Sequence, residues 1–309
     1  MFKMRASKFL RKLFWIDVWN IGIVSVTPKS IIEKKYLPEP IWLSKNRAFK
    51  FKADPFFITL NNKLHILYED FNFLFPKGKI NLMDLNGNIV KKNIFSESFH
   101  LSYPFTFKDG DKQYVIPESA ESGNISIYQL NSEDFSVKDK KILIDDFSGV
   151  DNTLFKFGEI FWIFCTNGAK DDCEQLYAWH SKSLFSEWAP HVKNPIKVSK
   201  RSARPGGRPF FLGGSLYRPS QNCENHYGKS IIINKIIQLT PEKFDECEEL
   251  ELKPSPDSSY SFGMHHIDMY DNLAIVDSKA SRFSLIALPL KILQRFFIGY
   301  RKMITKYTI

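Results

Sequence analysis

A unit of apolar strand, tight polar turn and second apolar strand recurs five times in this 309-residue chain, at intervals of roughly fifty residues. The copies begin at ADPFFITLNNKLHILYE (residues 53–69) and YPFTFKDGDKQYVIPE (103–118), and continue with DNTLFKFGEIFWIFCT (151–166). A looser fourth, GGRPFFLGGSLYRPSQ (206–221), precedes a fifth, HHIDMYDNLAIVDS (265–278). Counted from Asp54, Tyr103, Asp151 and Gly206, each of the first four closes fifteen positions later, on Glu69, Glu118, Thr166 and Gln221. Strand-turn-strand repeats of ~40–50 residues are the signature of propeller blades. The expected fold is therefore all-β, a five-bladed β-propeller over residues 19–285. Short basic amphipathic helices are expected at both termini, in residues 1–18 and 286–309. In such a ring, equivalent positions converge on the axis. The openings Asp54, Tyr103, Asp151 and His265, and the closings Glu69, Glu118, Thr166 and Gln221, should then share one polar cavity.

The composition agrees with a large packed core: 43% of residues are hydrophobic, and 28 are phenylalanine. The net charge of +9 favours an anionic partner, such as a membrane surface or a phosphorylated ligand, or serves only to keep the surface soluble. Cys165, Cys173, Cys223 and Cys247 form no CxxC pair, which argues against structural zinc and suits a reducing compartment. No stretch has the ~18 uncharged apolar residues of a membrane span, and no secretory leader is evident. At the N-terminus, Phe2, Ala6, Phe9, Leu10 and Leu13 share a helical face opposite Lys8, Arg11 and Lys12. At the C-terminus, Leu290, Leu293, Phe297, Tyr300 and Ile304 alternate with Lys291, Arg295, Arg301, Lys302 and Lys306. Such helices either lie on an anionic membrane or pack on the propeller with their charges in water.

Four carboxyl groups at repeat-equivalent positions, Asp54, Glu69, Glu118 and Asp151, suit glycosyl chemistry. There one carboxyl handles the leaving-group proton while another acts as base, nucleophile or cation stabiliser. Crowding them would push their pKa values apart. Arg204, Arg208 and Arg218 lie close together in sequence around Pro-Gly-Gly. Guanidinium groups there bind a donor phosphate, pair with the carboxylates, or do both. Gln221 and Tyr227 are candidates for orienting hydroxyls. His265 and His266, adjacent on a strand, point to opposite faces, so only one can reach the axis. HExxH, GxSxG and phosphate-loop patterns are missing, and no nucleic-acid-binding module is recognisable.

The ordered motifs ADPFF, LYED, HLSYPF, IPES, VDNTLF, RPGGR, LYRPSQ and YG resemble the N-terminal domain of plant glucosamine inositolphosphorylceramide transferases, to which stand-alone bacterial proteins are similar. That domain in turn looks like the five-bladed propeller of furanosidases and fructosyl-transferring enzymes. The resemblance implies a base or nucleophile at Asp54, a second carboxylate at Asp151 and a general acid at Glu118. Tyr103 stands where an Asp would be plausible, and Asn152 replaces a proline. The arginine cluster exceeds what a hydrolase of neutral sugars needs. The expectation is a cytoplasmic glycosyltransferase of polysaccharide or glycoconjugate assembly, peripheral to the inner face of the membrane. It would move a sugar, such as a ribofuranose or fructofuranose, from a phosphate-activated donor to a glycan or lipid-linked acceptor. No cofactor is fixed by the sequence; Mg2+ is the candidate that would accompany a phosphorylated donor. The alternatives are a furanoside-acting glycoside hydrolase and a non-catalytic carbohydrate-binding propeller.

Overall fold

The chain closes a ring by pairing its beginning with its end. Strand Trp15–Ser25 runs antiparallel to Leu273–Phe283 over its whole length, with Ile21 opposite Asp277. The computed structural model describes residues 10–44, 49–170 and 173–307. Five antiparallel sheets make up the ring. Blade I comprises Lys50–Leu60, Lys63–Asn72, Phe75–Met83 and Ile89–Lys91, and blade II comprises Ser102–Asp109, Lys112–Glu118, Ile125–Leu130 and Val137–Ile144. Blade III has Gly149–Phe157, Ile160–Asn167 and Gln175–Ser181 with two short outer strands; blade IV has Phe210–Leu212, Ser215–Asn222, Ser230–Leu239 and Phe244–Leu252. Blade V takes its inner strands, Gly263–Tyr270 and Leu273–Phe283, from the C-terminal side, and its outer ones, Trp15–Ser25 and Ile41–Trp42, from the N-terminal side. The chain is thus a five-bladed β-propeller.

Local chemistry explains the elements. The strands are rich in β-branched and aromatic residues, which suit a pleated surface packed on both faces. Asn61 and Asn62 both take positive φ, as do Gly213 and Gly214, giving the twisted two-residue hairpins these pairs favour. The apolar core is divided into clusters between neighbouring blades. Phe155, Trp162 and Phe164 of blade III meet Leu216 and Ile236 of blade IV, and Phe57, Ile66 and Tyr68 of blade I meet Ile21 and Ile275 of blade V. Blade IV is the irregular one. Residues 205–207 replace a regular strand start with isolated bridges to Ser220 and Ile267. Gly207, at φ 139°, lies so close to blade V that a Cβ would fall 1.8 Å from the Ile267 carbonyl oxygen, so only glycine fits.

The ends differ from the sequence-based expectation. Of the N-terminal amphipathic segment, residues 1–9 lie outside the described residues. Residues 10–14 form one helical turn, and Trp15 already belongs to blade V. The connection after that strand contains a helix, Pro28–Lys34, capped by Thr27 and Ser30 in a reciprocal capping box. A C-terminal helix runs over Ala287–Tyr307.

Tyr103 marks the axis. Its ring packs edge-on against Phe56 of blade I and His266 of blade V. Its hydroxyl lies 2.9 Å from Thr153 Oγ1 of blade III and accepts the Gly207 N–H of blade IV, also at 2.9 Å. One side chain of blade II therefore touches every other blade. Replacing it by phenylalanine keeps the ring packing and strands the buried Gly207 N–H, while the Thr153 hydroxyl keeps only its bond to the Asp151 carbonyl. Tyr103→Phe is expected to lower the unfolding free energy by ~1–3 kcal/mol in urea melts followed by tryptophan fluorescence; an unchanged midpoint would show that the hydroxyl bridge contributes nothing.

Candidate active site

The repeat openings coincide with breaks in the inner ladders. Register shifts fall between Ala53 and Phe56, Ser102 and Phe105, Val150 and Thr153, and Gly263 and His266. At the first three, the extra residue has left-handed φ: 51° at Asp54, 41° at Tyr103 and 53° at Asp151. A bulge of this kind re-aims a side chain out of the pleat. Asp tolerates left-handed backbone; a tyrosine there is strained. Beside these openings is a cavity of about 320 Å³, at the small end of the ~300–1,000 Å³ typical of ligand sites. Asp54, Glu69, Glu118, Arg204, Tyr227 and His265 line it, with Trp19, Phe51 and His100.

Two buried carboxyl groups on this cavity each have a partner behind them. His265 lies between Asp54 and Asp277. Its Nδ1 is 2.6 Å from Asp277 Oδ1 and its Nε2 is 3.3 Å from Asp54 Oδ1. Asp277 also accepts the Asp54 backbone N–H at 2.9 Å, joining blade I to blade V. Burial raises the Asp54 pKa to about 7, against the opposing pull of His265. Burial works to deprotonate His265, but Asp277 and Asp54 outweigh it and hold its proton more firmly than usual. Trp19 stacks on the imidazole at 3.8 Å, fixing the ring plane.

Glu118 is the second group. Burial, and then the nearby Asp151, keep its proton well above the ordinary carboxyl range, and it shares a hydrogen bond with Asp151. Asp151 does not line the cavity; it is 2% exposed and sits behind Glu118. Its Oδ2 accepts Arg204 Nε and Gln221 Nε2, each at 2.6 Å. Gln221 therefore holds Asp151 and does not reach the cavity. Arg204 does: it lies 3.9 Å from Glu118 Oε2 and 5.0 Å over the Tyr227 ring.

Glu69 completes the acidic set, its proton also held by burial. The Gly78 N–H donates to His100 Nδ1 at 2.9 Å, so in the neutral ring Nε2 carries the hydrogen and points at Glu69, 3.5 Å away. A Cβ on Gly78 would stand 2.4 Å from Glu69 Oε1, which makes this glycine part of the site.

Besides Asp151 and Gln221, four residues expected at the cavity lie elsewhere, the first of them Thr166, fully buried opposite Val150. Arg208 reaches further along the axis, to Asp268 Oδ1 at 2.8 Å and to Thr106 O and Oγ1, each at 2.5 Å. Arg218 is fully buried inside blade IV, gripping Glu246 with two nitrogens and donating to the Ser202 carbonyl. Both are structural ion pairs rather than donor-phosphate ligands. Tyr103 is the axial side chain described above, not a cavity residue. Conversely, Asp277, Trp19 and Phe51 were not singled out by sequence, and His100 carried only the weak signal of a histidine near a blade start. Asp277 pairs with His266, at the position that Leu67, Ile116 and Phe164 hold in the first three blades, so the repeat gives no polar signal there, and Trp19 arrives only through ring closure. Asp54, His265 and Asp277 also present donor atoms within 4.8 Å of one another. They do not fit Mg2+, which wants an octahedron of oxygens, because His265 sits between the two carboxyl groups and is within reach of both.

Residues 42–275 match the family model described as glucosamine inositolphosphorylceramide transferase 1, N-terminal. The glucosamine inositolphosphorylceramide transferase 1 of Arabidopsis thaliana is 34% identical over 233 residues, covering 71% of this chain and 30% of that protein. Its counterpart in Oryza sativa subsp. japonica is 31% identical over 231 residues, 71% of this chain and 31% of that one. The match thus spans under a third of the length of these relatives. Among solved structures, a thermostable family-43 glycoside hydrolase superposes with a TM-score of 0.51 at 16% identity, covering 66% of this chain and 77% of that one. An α-L-arabinofuranosidase from Podospora anserina gives 0.53 at 11% identity, covering 85% and 97%. At such identities the likeness concerns the fold alone.

The raised Asp54 pKa has a consequence for stability. The folded chain holds a proton there that the unfolded chain has released above pH ~4, so this group costs stability as pH rises from that value to about 7. Asp54→Asn keeps a residue suited to left-handed φ and removes the cost. Its melting temperature minus that of the native chain should grow across this window, by ~2–4 °C for each kcal/mol relieved. A difference that is flat or shrinks with pH would contradict the assignment.

Proposed function

The chain belongs to the glucosamine inositolphosphorylceramide transferase 1 N-terminal family, and on that footing we propose that its cavity carries out glycosyl transfer between a sugar donor and a glycan or lipid-linked acceptor. The observation that carries this reading is the pairing of Glu118 with Asp151 on one side and of Asp54 with His265 and Asp277 on the other. Two carboxyl groups in one cavity, each tuned by a different neighbour, are what acid and base roles at a glycosidic bond require.

In this mechanism Glu118, whose proton burial and Asp151 help to hold, delivers it to the leaving-group oxygen. Asp54, ionised above about pH 7, serves as base or nucleophile at the anomeric carbon. His265, whose proton Asp277 and Asp54 hold more firmly than usual against burial, lies beside it, and Asp277 fixes the imidazole. Asp151 and Gln221 are positioning residues, acting through Glu118 and Arg204. Arg204 is the guanidinium available to a donor phosphate. Trp19, Phe51 and Tyr227 give the cavity an aromatic wall against which a sugar would pack.

A second reading, a furanoside-acting glycoside hydrolase, is favoured by the commitment of Arg208 and Arg218 to internal partners. That leaves one arginine for donor phosphate and places more of the work on Glu118 as acid.

A thermal-shift panel separates the readings. It would test nucleotide sugars, phosphoribosyl diphosphate and neutral furanosyl and pyranosyl oligosaccharides, each with and without Mg2+. Transfer predicts stabilisation by a phosphorylated donor, lost in Arg204→Ala; stabilisation by neutral furanosides alone, with release of free sugar, selects the hydrolase. With the active ligand, Asp54→Asn and Glu118→Gln should each lower turnover by ~10²–10⁴ while the circular dichroism spectrum stays native. Saturable glycan binding that survives Asp54→Asn, with no turnover of any ligand, would overturn both readings in favour of a binding propeller.

A further inference from the structure

A second cavity, of about 750 Å³, lies where the two ends of the chain meet. Its walls come from the N-terminal turn, the start of strand Trp15–Ser25, the loop at Asn225 and His226, and the first turns of the C-terminal helix. It adjoins the candidate active site. Phe73 of this cavity packs 5.5 Å from Phe51 of the other. His226 precedes Tyr227 in the chain. Lys279 joins Asp17 of this cavity to the backbone carbonyl of Tyr227.

The lining combines positive charge with apolar surface. Arg11 lies 4.0 Å over the Phe262 ring, and His226 stacks on the same ring at 4.6 Å. Lys12 and Lys291 add two more cations. The acidic lining residue, Asp17, is paired with Lys279 at 3.0 Å. Lys291 donates to the carbonyls of Lys12 and Trp15, each at 2.6 Å, and so fastens the helix to the N-terminal turn. The Ser281 hydroxyl is buried at this cavity with no hydrogen-bond partner among the described residues. It is a donor in want of an acceptor. Beside the cavity the apolar surface is unusually open: Ile292 is 61% exposed, Phe296 69% and Leu285 74%. Ile292 and Phe296 lie one helical turn apart and therefore share a face. No helix among the described residues is long and apolar enough to cross a membrane.

We propose that this cavity seats the anionic headgroup of a membrane phospholipid, with the C-terminal helix lying along the bilayer surface. The phosphodiester meets Arg11, Lys12 and the Ser281 hydroxyl, and the acyl region meets Ile292 and Phe296. Charge complementarity selects this occupant: a cationic pocket beside exposed apolar side chains matches a lipid with negative head and hydrocarbon tail. The inference goes beyond the transfer reaction and is read by binding alone, so it stands or falls apart from any turnover. It turns the active-site mouth toward the bilayer.

Co-sedimentation of the full chain with vesicles tests it. Vesicles of phosphatidylcholine containing phosphatidylglycerol should bind the protein, and phosphatidylcholine alone should not. Arg11→Glu reverses one charge, and binding should weaken by about thirtyfold if each unit of charge contributes the usual amount at an anionic surface. Ile292→Asp with Phe296→Asp, at exposed positions that leave the fold intact, should abolish it. Equal binding to both vesicle types, or native binding by these variants, would overturn the proposal. So would a thermal shift with inorganic phosphate but no vesicle binding. A dimer abolished by the same variants, again without vesicle binding, would give the surface to a second copy of this chain.

Discussion

Inner strands from five blades converge on an axis too narrow for regular pleats, and a few side chains must fill it. Tyr103 does most of that filling, from a backbone conformation that a bulky residue adopts only at a cost of ~1–3 kcal/mol. The strain persists because the same bulge aims the phenol at the centre, where it touches all four other blades. Its backbone N–H also reaches Asp54 Oδ2 at 3.3 Å. Axis filler and candidate base are thereby set by one geometry.

The same bulge, used on blades I and III, brings two aspartates in with different outcomes. Asp54 opens onto the cavity and is backed by a histidine; Asp151 is covered and becomes the backing for Glu118. Symmetric scaffold positions thus carry asymmetric chemistry. What distinguishes them is the next layer: Arg204 and Gln221 converge on Asp151, whereas Trp19 and Asp277 hold the imidazole beside Asp54. Burial holds the protons of Asp54 and Glu118, against the pull of His265 on the first and of Arg204 on the second.

The repeat made the fold and most of the cavity legible, because blade openings obey a spacing that folding preserves. Asp54, Glu69, Glu118 and His265 were found that way and share the cavity. Sequence proximity failed for the arginines because strands separate near neighbours. Arg208 is displaced along the axis from Arg204, and Arg218, three residues from Gln221, faces the other side of its strand. Asp277 was hidden because its repeat position holds Leu67, Ile116 and Phe164 in the first three blades. Trp19 was hidden because nothing local announces that the first strand completes the last blade. His100 lies between blades, in no repeat position, and only the cleft left by Gly78 brings it to Glu69.

That closure between the chain's ends has a consequence during synthesis. With Ile21 opposite Asp277, the strand of the ring made earliest waits for the one made last, holding an unpaired apolar edge while blades I to IV are synthesised. Blades I to IV can form in order, yet neither Asp277 nor Trp19 has its neighbours until blade V is joined. A nascent or clipped chain would therefore be a horseshoe with four good blades and no imidazole held between its carboxyl groups. Trimming from the front or from the back would damage the same place, and the cavity gains its full wall only at the moment the circle becomes complete.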